Sequence, residues 1–381
     1  MPPKIRVIYY LPCFGIGGTE RVVLDLCRNV SRNRFDIEVC TMVGGVFADQ
    51  VIASGVPVHL LAPPATKQRS LPAKVINYLG MLSCLRSIIG RGGPIVLHTH
   101  HYGPLMQAFI IRKLTSQKFG WLHTEHSWTD VRNAYALRLY SLVNPMKSAD
   151  LISGVADKVT SYMKEVSGII PDSAVTVLNG IETVRFNPED RKIKRHELGF
   201  GPDDLLVGTV GMLRPEKNQQ LAIRAFALIA ADFPKLHFIV CGEGECRPEL
   251  ESLAAELHIA SRVHFLGYRM DAHEIMAAFD IYCLPSVYEG LPLSILEAWA
   301  ARKPVVATEV IGNVDIVHHE TNGLLVPLNN EHMMADVLTR LILDPALGRR
   351  LADSGNRVLM DRFDVKHMVN HYEQLYEKIA C

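Results

Sequence analysis

Short apolar runs alternate with longer segments of helical spacing along the whole chain. This alternation limits the fold more than any other feature of the sequence. IRVIYYL, DIEVCTMV, PIVLHTH, FGWLHT, LISGV and AVTVL read as strands in the first half, and LLVGTVG, HFIVCG, RVHFLG, DIYCLP and PVVAT in the second. Each is short and rich in Val, Ile or aromatic residues, as strands buried on both faces of a parallel sheet are. Between them, ERVVLDLCRNV, NQQLAIRAFALIAA, RPELESLAAELH and HEIMAAF carry apolar residues three and four apart. Strand–helix alternation of this kind predicts an open α/β architecture of Rossmann-like, doubly wound sheets.

A chain of 381 residues is long enough for two such domains. The polar stretch 185–203, with two prolines and a fresh strand after it, is the expected break. The expected domains are therefore residues 1–190 and 200–360, with a last helix in 361–381. Ligands of doubly wound sheets sit beyond the carboxyl ends of the strands, so two domains in tandem predict an interdomain cleft.

Composition excludes some classes. No apolar run approaches the ~18–20 residues needed to span a bilayer. MPPKIRVIYYLPCFGIGG reads better as a first strand than as a signal peptide, which needs a longer apolar core and a small-residue cleavage site. The eight cysteines are scattered without a CxxC pair, which argues for a reducing compartment and a cytoplasmic location. Net charge is zero but polarised. Residues 1–199 carry 24 basic and 15 acidic side chains, and residues 200–381 carry 16 and 25. From Gln50 to Thr124 every charged residue is basic: Lys67, Arg69, Lys74, Arg86, Arg91, Arg112, Lys113 and Lys118. That half of the chain either drifts in surface composition or faces something anionic.

Candidate binding residues gather at strand ends. After the first strand comes Gly15-Ile-Gly17-Gly18-Thr-Glu20, opening a helix. Glycines let a backbone approach a ligand, and a helix N-terminus favours anions. Glu20 stands where a dinucleotide fingerprint has its third glycine, which counts against a nicotinamide cofactor. Glu38, placed at the end of the second strand, is at a plausible distance for a ribose. After LLVGTVGML, Arg214 and Lys217 suit a diphosphate, one as a fork and one as a point charge; the alternative is a solvated turn. A second glycine loop, Gly242-Glu-Gly244, and Tyr268-Arg269-Met270 follow the next two strands. SVYEGLPLSILEAWAA then sets Glu289 in a loop and Glu297 in a helix. Ser294 and Glu297 also match the S-x-x-E capping box. The competing role for Glu297 is a carboxylate that accepts two hydroxyls of one sugar ring.

Taken in order, GIGGTERVVLDL, NGIETVRF, VGMLRPEKN, CGEGE, HFLGY and EGLPLSILEAWAARKPVVAT resemble the retaining glycosyltransferases of the GT-B fold, family 4. The resemblance covers nearly the whole chain. It implies that Glu297 holds the nucleotide ribose and that Glu289 binds the transferred sugar. It also implies that Arg214 and Lys217 hold the diphosphate together with Gly290, Leu291, Leu293 and Ser294 around a helix start. Gly17 and Gly18 would close over the phosphates from the first domain. His126 would lie beside the donor sugar, Arg269 would meet the base, and the final helix would cross back to the first domain. One departure stands out. Where the family often has two glycines and a glutamate after PVVAT, this chain has Gly312, Asn313 and Asp315.

The implied reaction moves a hexose-type sugar from a nucleotide diphosphate, with UDP the commoner carrier in the family, to a hydroxyl acceptor with retention of configuration. The acceptor could be a saccharide, lipid-linked or other, in polysaccharide or glycoconjugate synthesis. The expected cationic site leaves no need for a metal or cofactor, and nucleic acid is not an expected partner. His98, His100 and His101 with His123 and His126 suggest a rival reading as a metal cluster. The favoured reading keeps His126 as the functional histidine. A nucleotide-sugar epimerase sharing the fold would turn over donor without acceptor; a binding-only module would not need Glu289, Glu297, Arg214 and Lys217 together. LPAKVINYLGMLSCLRSIIG, with helical spacing and basic flanks, is either a helix buried on its own sheet or a reversible contact with an anionic membrane surface.

Overall fold

The computed structural model describes residues 3–61, 71–116, 118–126, 145–167, 173–183, 186 and 190–381. Two compact units divide the chain. The first runs to Asn179 and regains Val365–Cys381; the second is Gly180–Asp364.

The first unit holds β1 (Ile5–Cys13), β2 (Phe35–Val43), β3 (Val58–Leu60), β4 (Ile95–His100), β5 (Gly120–Glu125), β6 (Leu151–Gly154) and β7 (Ala174–Thr176). They form one parallel sheet in the order β3-β2-β1-β4-β5-β6-β7. Val7 to Leu11 of β1 are fully buried, which is why that run lacks polar alternation. Its helices are α1 (Gly18–Asn29), α2 (Val46–Ala53), α3 (Leu71–Ile89), α4 (Tyr102–Leu114) and α5 (Asp157–Ser167). Glu38 lies inside β2 and not at its end, where it accepts from Arg6 at 2.7 Å and bonds His59 at 2.8 Å. The expectation of a ribose ligand there is corrected: Glu38 is engaged by Arg6 and His59 on the two neighbouring strands.

The second unit holds β8 (Leu205–Val210), β9 (Leu236–Cys241), β10 (Val263–Gly267), β11 (Ile281–Leu284), β12 (Val305–Thr308) and β13 (Leu324–Val326), again all parallel, in the order β10-β9-β8-β11-β12-β13. Its helices are α6 (Asp190–Glu197), α7 (Gln219–Ile229), α8 (Arg247–Glu256), α9 (Ala272–Ala278), α10 (Leu293–Ala300), α11 (Glu331–Leu343) and α12 (Pro345–Arg362). The stretch expected as a linker contains α6, which packs against α9. Its charges misled because they are paired inward. Arg195 is 4% exposed and donates to Ala278 O, and Arg191 donates to Asp280 at 2.6 Å.

The last helix, α13 (Val365–Ile379), belongs to the first unit. Val365, Met368, Val369, Tyr372, Leu375, Tyr376 and Ile379 recur at helical spacing and are buried. One turn apart on that face, the Tyr372 hydroxyl reaches Thr124 at 3.1 Å and the Tyr376 hydroxyl reaches His98 at 2.8 Å. The helix is thus fixed to β4 and β5 by apolar burial and by hydrogen bonds that satisfy buried polar groups.

Candidate functional site

The strand order of the second unit reverses between β8 and β11, and the loops leaving those two strands carry the residues singled out by sequence. Lys217, in the turn after β8, donates to Glu289 Oε1 at 2.7 Å. Ser286 donates to the same oxygen at 2.6 Å. Glu289 is 9% exposed, so its charge depends on these two partners. Val287 N donates to Glu216 O at 2.8 Å and ties the two loops through their backbones. Arg214 lies at the rim, its side chain half exposed and in a long ion pair with Glu216 at 4.0 Å.

Neighbouring loops hold this arrangement from both sides. Leu213 N donates to Glu243 O at 2.9 Å, and Cys246 N donates to Leu213 O at 3.0 Å. A Cβ at Gly244 would fall 2.2 Å from Leu213 O, so the glycine loop after β9 serves the close approach of two backbones. On the far side, Gly312 has φ 90°, and a Cβ there would lie 2.5 Å from Glu289 O. Glu289 N donates to Ile311 O at 3.2 Å. Asn313 is fully buried and donates to Thr308 O at 2.9 Å, while Thr308 donates to Ser286 O. The loop that departs from the family pattern therefore carries the Glu289 loop.

α10 begins at Leu293 with Pro292 as N-cap and no side-chain cap. Ser294 is inside the helix, bonded to Tyr282, so the capping-box reading of Ser294 and Glu297 does not hold. The first amides of α10, around Leu293 and Ser294, lack intrahelical acceptors and leave a donor-rich end beside Gly290 and Leu291. Ile295, Leu296, Ala298 and Trp299 are buried, whereas Ser294 and Glu297 occupy the less buried face. The Cys241 thiol, pushed up to about 12 chiefly by burial, is raised further by Asp271 and Glu297 and lowered by Arg269. Arg269, in the loop after β10, donates to Asp271 through Nε at 2.8 Å and Nη2 at 2.7 Å. Since all six strands are parallel, these loops leave one edge of the sheet.

In the first unit, Gly17 is the N-cap of α1 in extended conformation, and the Glu20 carboxylate folds back over it. His126 Nε2 lies 3.0 Å from His100 Nδ1, so one ring donates and the other accepts. Burial and neighbouring imidazoles hold both well below the usual histidine range. His98 and His100 share one face of β4 with ring centres 4.3 Å apart. His123 bonds Thr99 at 3.0 Å on the opposite face. The pleat therefore separates the histidines that sequence brought together. Among the described residues no group of three or more His, Cys, Asp or Glu is placed to hold a metal ion.

Two doubly wound units, each with a parallel sheet, and a donor-rich strand-end site in the second match the architecture expected of a GT-B protein. Two family models then cover most of the sequence: Glycosyltransferase Family 4 over residues 16–185, and Glycosyl transferases group 1 over residues 190–358. The chain belongs to family 4 of the GT-B glycosyltransferases. A Bacillus subtilis protein named as a glycosyltransferase, EpsD, is 30% identical over 52% of this chain and 52% of its own length, about half of that relative. An Escherichia coli UDP-Gal:alpha-D-GlcNAc-diphosphoundecaprenol alpha-1,3-galactosyltransferase is 28% identical over 98% of this chain and 96% of its own. The crystal structure of Anabaena HepE in complex with UDP-glucose shares the fold at a TM-score of 0.85 and 21% identity, covering 98% of this chain and 99% of that one.

Proposed function

We propose that this glycosyltransferase takes its sugar from a UDP-hexose and transfers it, with retention of configuration, to a hydroxyl of a lipid-linked saccharide. The observation that carries the reading is the meeting of Lys217 and Glu289 at the crossover of strand order, beside the uncapped start of α10. Arg214, Lys217 and the α10 amides meet the diphosphate, whose negative charge rises as the glycosidic bond breaks. Lys217 exchanges Glu289 for a phosphate oxygen. Both contacts of Glu289 fall on Oε1, which leaves Oε2 for a hydroxyl of the transferred sugar. Glu297 accepts from the ribose hydroxyls, and Arg269 meets the base. The family resemblance assigns His126 to the donor sugar and Gly17 and Gly18 to the phosphates. The cations supply the charge compensation a metal would otherwise give.

The acceptor class draws on three observations. The galactosyltransferase relative names a diphosphoundecaprenol-linked acceptor. The run from Gln50 to Thr124 holds no acidic residue. Val75, Ile76 and Leu79 of α3 are 52%, 68% and 58% exposed, whereas Met81, Leu85, Ile88 and Ile89 farther along the helix are buried. Such a half-buried helix suits reversible docking on an anionic lipid surface at the cytoplasmic face. Lys67 and Arg69, which belong to the same basic run, lie outside the described residues. Among the described residues no helix is long and apolar enough to cross a membrane.

The test is a panel of UDP-, GDP- and ADP-sugars read by thermal shift, followed by turnover with and without an undecaprenyl-diphosphate-linked saccharide in the presence of EDTA. A UDP-sugar should stabilise the protein most and be consumed when acceptor is added. Consumption of donor at full rate without acceptor would make the protein an isomerase or hydrolase. A rate restored solely by a divalent cation would overturn the cationic account of the leaving group.

A further inference from the structure

Asp271 is the N-cap of α9, the position where an aspartate side chain ordinarily accepts from its own helix amides. It does not do so here. Its carboxylate spends Oδ1 on Arg269 Nε at 2.8 Å, and Oδ2 on Arg269 Nη2 at 2.7 Å and Lys194 Nζ at 2.8 Å. Lys194, on α6, is 4% exposed and also reaches Glu197 at 2.8 Å and Glu274 at 2.7 Å. A lysine this buried is costly unless paired, and an aspartate diverted from its cap gives up local stability. Both features have one geometric result. The plane of the Arg269 guanidinium is fixed by a two-point contact, with its Nη1 end turned away from Asp271.

We propose that Lys194 and Asp271 are positioning residues that orient Arg269 for selection of the nucleobase. This rests on the reading of the β10 loop as the base-binding loop. β10 stands two strands from β8, about 10 Å at the usual strand spacing. That separation suits a nucleoside laid from the Lys217 end of the site towards Arg269. A free arginine in an exposed loop loses side-chain entropy when it binds; a pinned one has already lost it. The guanidinium then offers fixed donors to a pyrimidine carbonyl, and its plane is held at one angle to any larger purine. The α6 segment, whose Lys194 is 77 positions from Asp271 in the chain, thereby enters donor choice.

The experiment measures dissociation constants of UDP, GDP and ADP for wild type and for Arg269→Gln, Asp271→Asn, Lys194→Met and Lys194→Arg, with a thermal melt and donor kinetics for each. Asp271→Asn and Lys194→Met should each weaken UDP about tenfold, the scale of one lost charge-assisted contact, and narrow the preference for UDP over GDP. Donor KM should rise more than kcat falls, and Lys194→Arg should restore most of the preference. If Arg269→Gln leaves UDP affinity unchanged, the base-loop reading itself fails. If Arg269→Gln weakens UDP while Asp271→Asn and Lys194→Met do not, the positioning proposal fails alone. Equal losses for all three nucleotides, tracking a lowered melting point, would reduce the pair to a structural brace and overturn the proposal.

Discussion

Lys217 Nζ lies 2.7 Å from Glu289 Oε1, although the two residues are 72 positions apart in the chain. Each is held by its own loop, and the loops meet where the strand order reverses. The pair stores a cation at the site without leaving it or the buried carboxylate uncompensated. On the proposed binding mode it also sets up a competition, because a bound diphosphate would draw Lys217 from Glu289.

Glu289→Gln should therefore separate binding from turnover. Removing the competing charge should let UDP bind at least as tightly as in wild type. Removing the sugar contact should lower kcat about a hundredfold. Lys217→Met should instead weaken UDP and lower kcat together. Titration calorimetry with UDP and steady-state kinetics on both variants decide this; weaker UDP binding in Glu289→Gln would end the competition model.

Glu297→Ala should weaken UDP about tenfold or more, since a carboxylate holding a diol makes charged hydrogen bonds. The loss of UDP affinity should outweigh any loss of stability, because Glu297 does not cap α10. The reverse pattern, normal affinity with a lower melting point, would make Glu297 a structural residue.

Gly312→Ala tests the loop that replaces the family's double glycine. At φ 90° an alanine is strained, and its Cβ would strike the Glu289 backbone. Stability should fall by about 1–3 kcal/mol in urea, with a kcat loss that resembles Glu289→Gln more than Glu297→Ala. Wild-type kinetics in a stable Gly312→Ala protein would show that the Glu289 loop does not depend on this contact.

Lys303 gives a pH signature unrelated to donor binding. It is 8% exposed and donates to Ala277 O at 2.7 Å. Burial, then the charge of Arg191, pulls it down to about 7, with Asp280 opposing and Arg195 assisting. The unfolded chain holds this proton up to the ordinary lysine range, so between about pH 7 and 10 it binds more protons than the folded chain. Stability from this group therefore rises with pH across that window. Lys303→Met should be more stable than wild type below pH 7, with the gap closing towards pH 10. A pH-independent gap in urea melts would mean that Lys303 stays charged when folded.

Membrane docking predicts co-sedimentation with vesicles that rises with anionic lipid and falls with salt, at roughly 1 kcal/mol per cation near the surface. Serine at Val75, Ile76 and Leu79 should reduce binding, as should neutralising Lys67, Arg69 and Lys74. Equal binding to neutral and anionic vesicles would leave the acceptor a soluble molecule.

The sequence by itself determined the α/β class, because buried parallel strands must be short, apolar and separated by helices. It also put forward Arg214, Lys217, Glu289 and Glu297 as candidates, since each stands beyond a legible strand. It left β3 and β13 unread, each three residues long. It misread α6 as a linker, because buried arginine and lysine look like solvated charge until their partners are known. The spacing Ser294-x-x-Glu297 fitted a helix cap until the helix was seen to begin at Leu293. Pairings belong to the tertiary structure alone. Lys217 meets Glu289, Gly312 supports Glu289, Asp271 pins Arg269 and His123 turns away from His100, because strand order and pleat bring together or separate residues that the linear chain leaves unrelated.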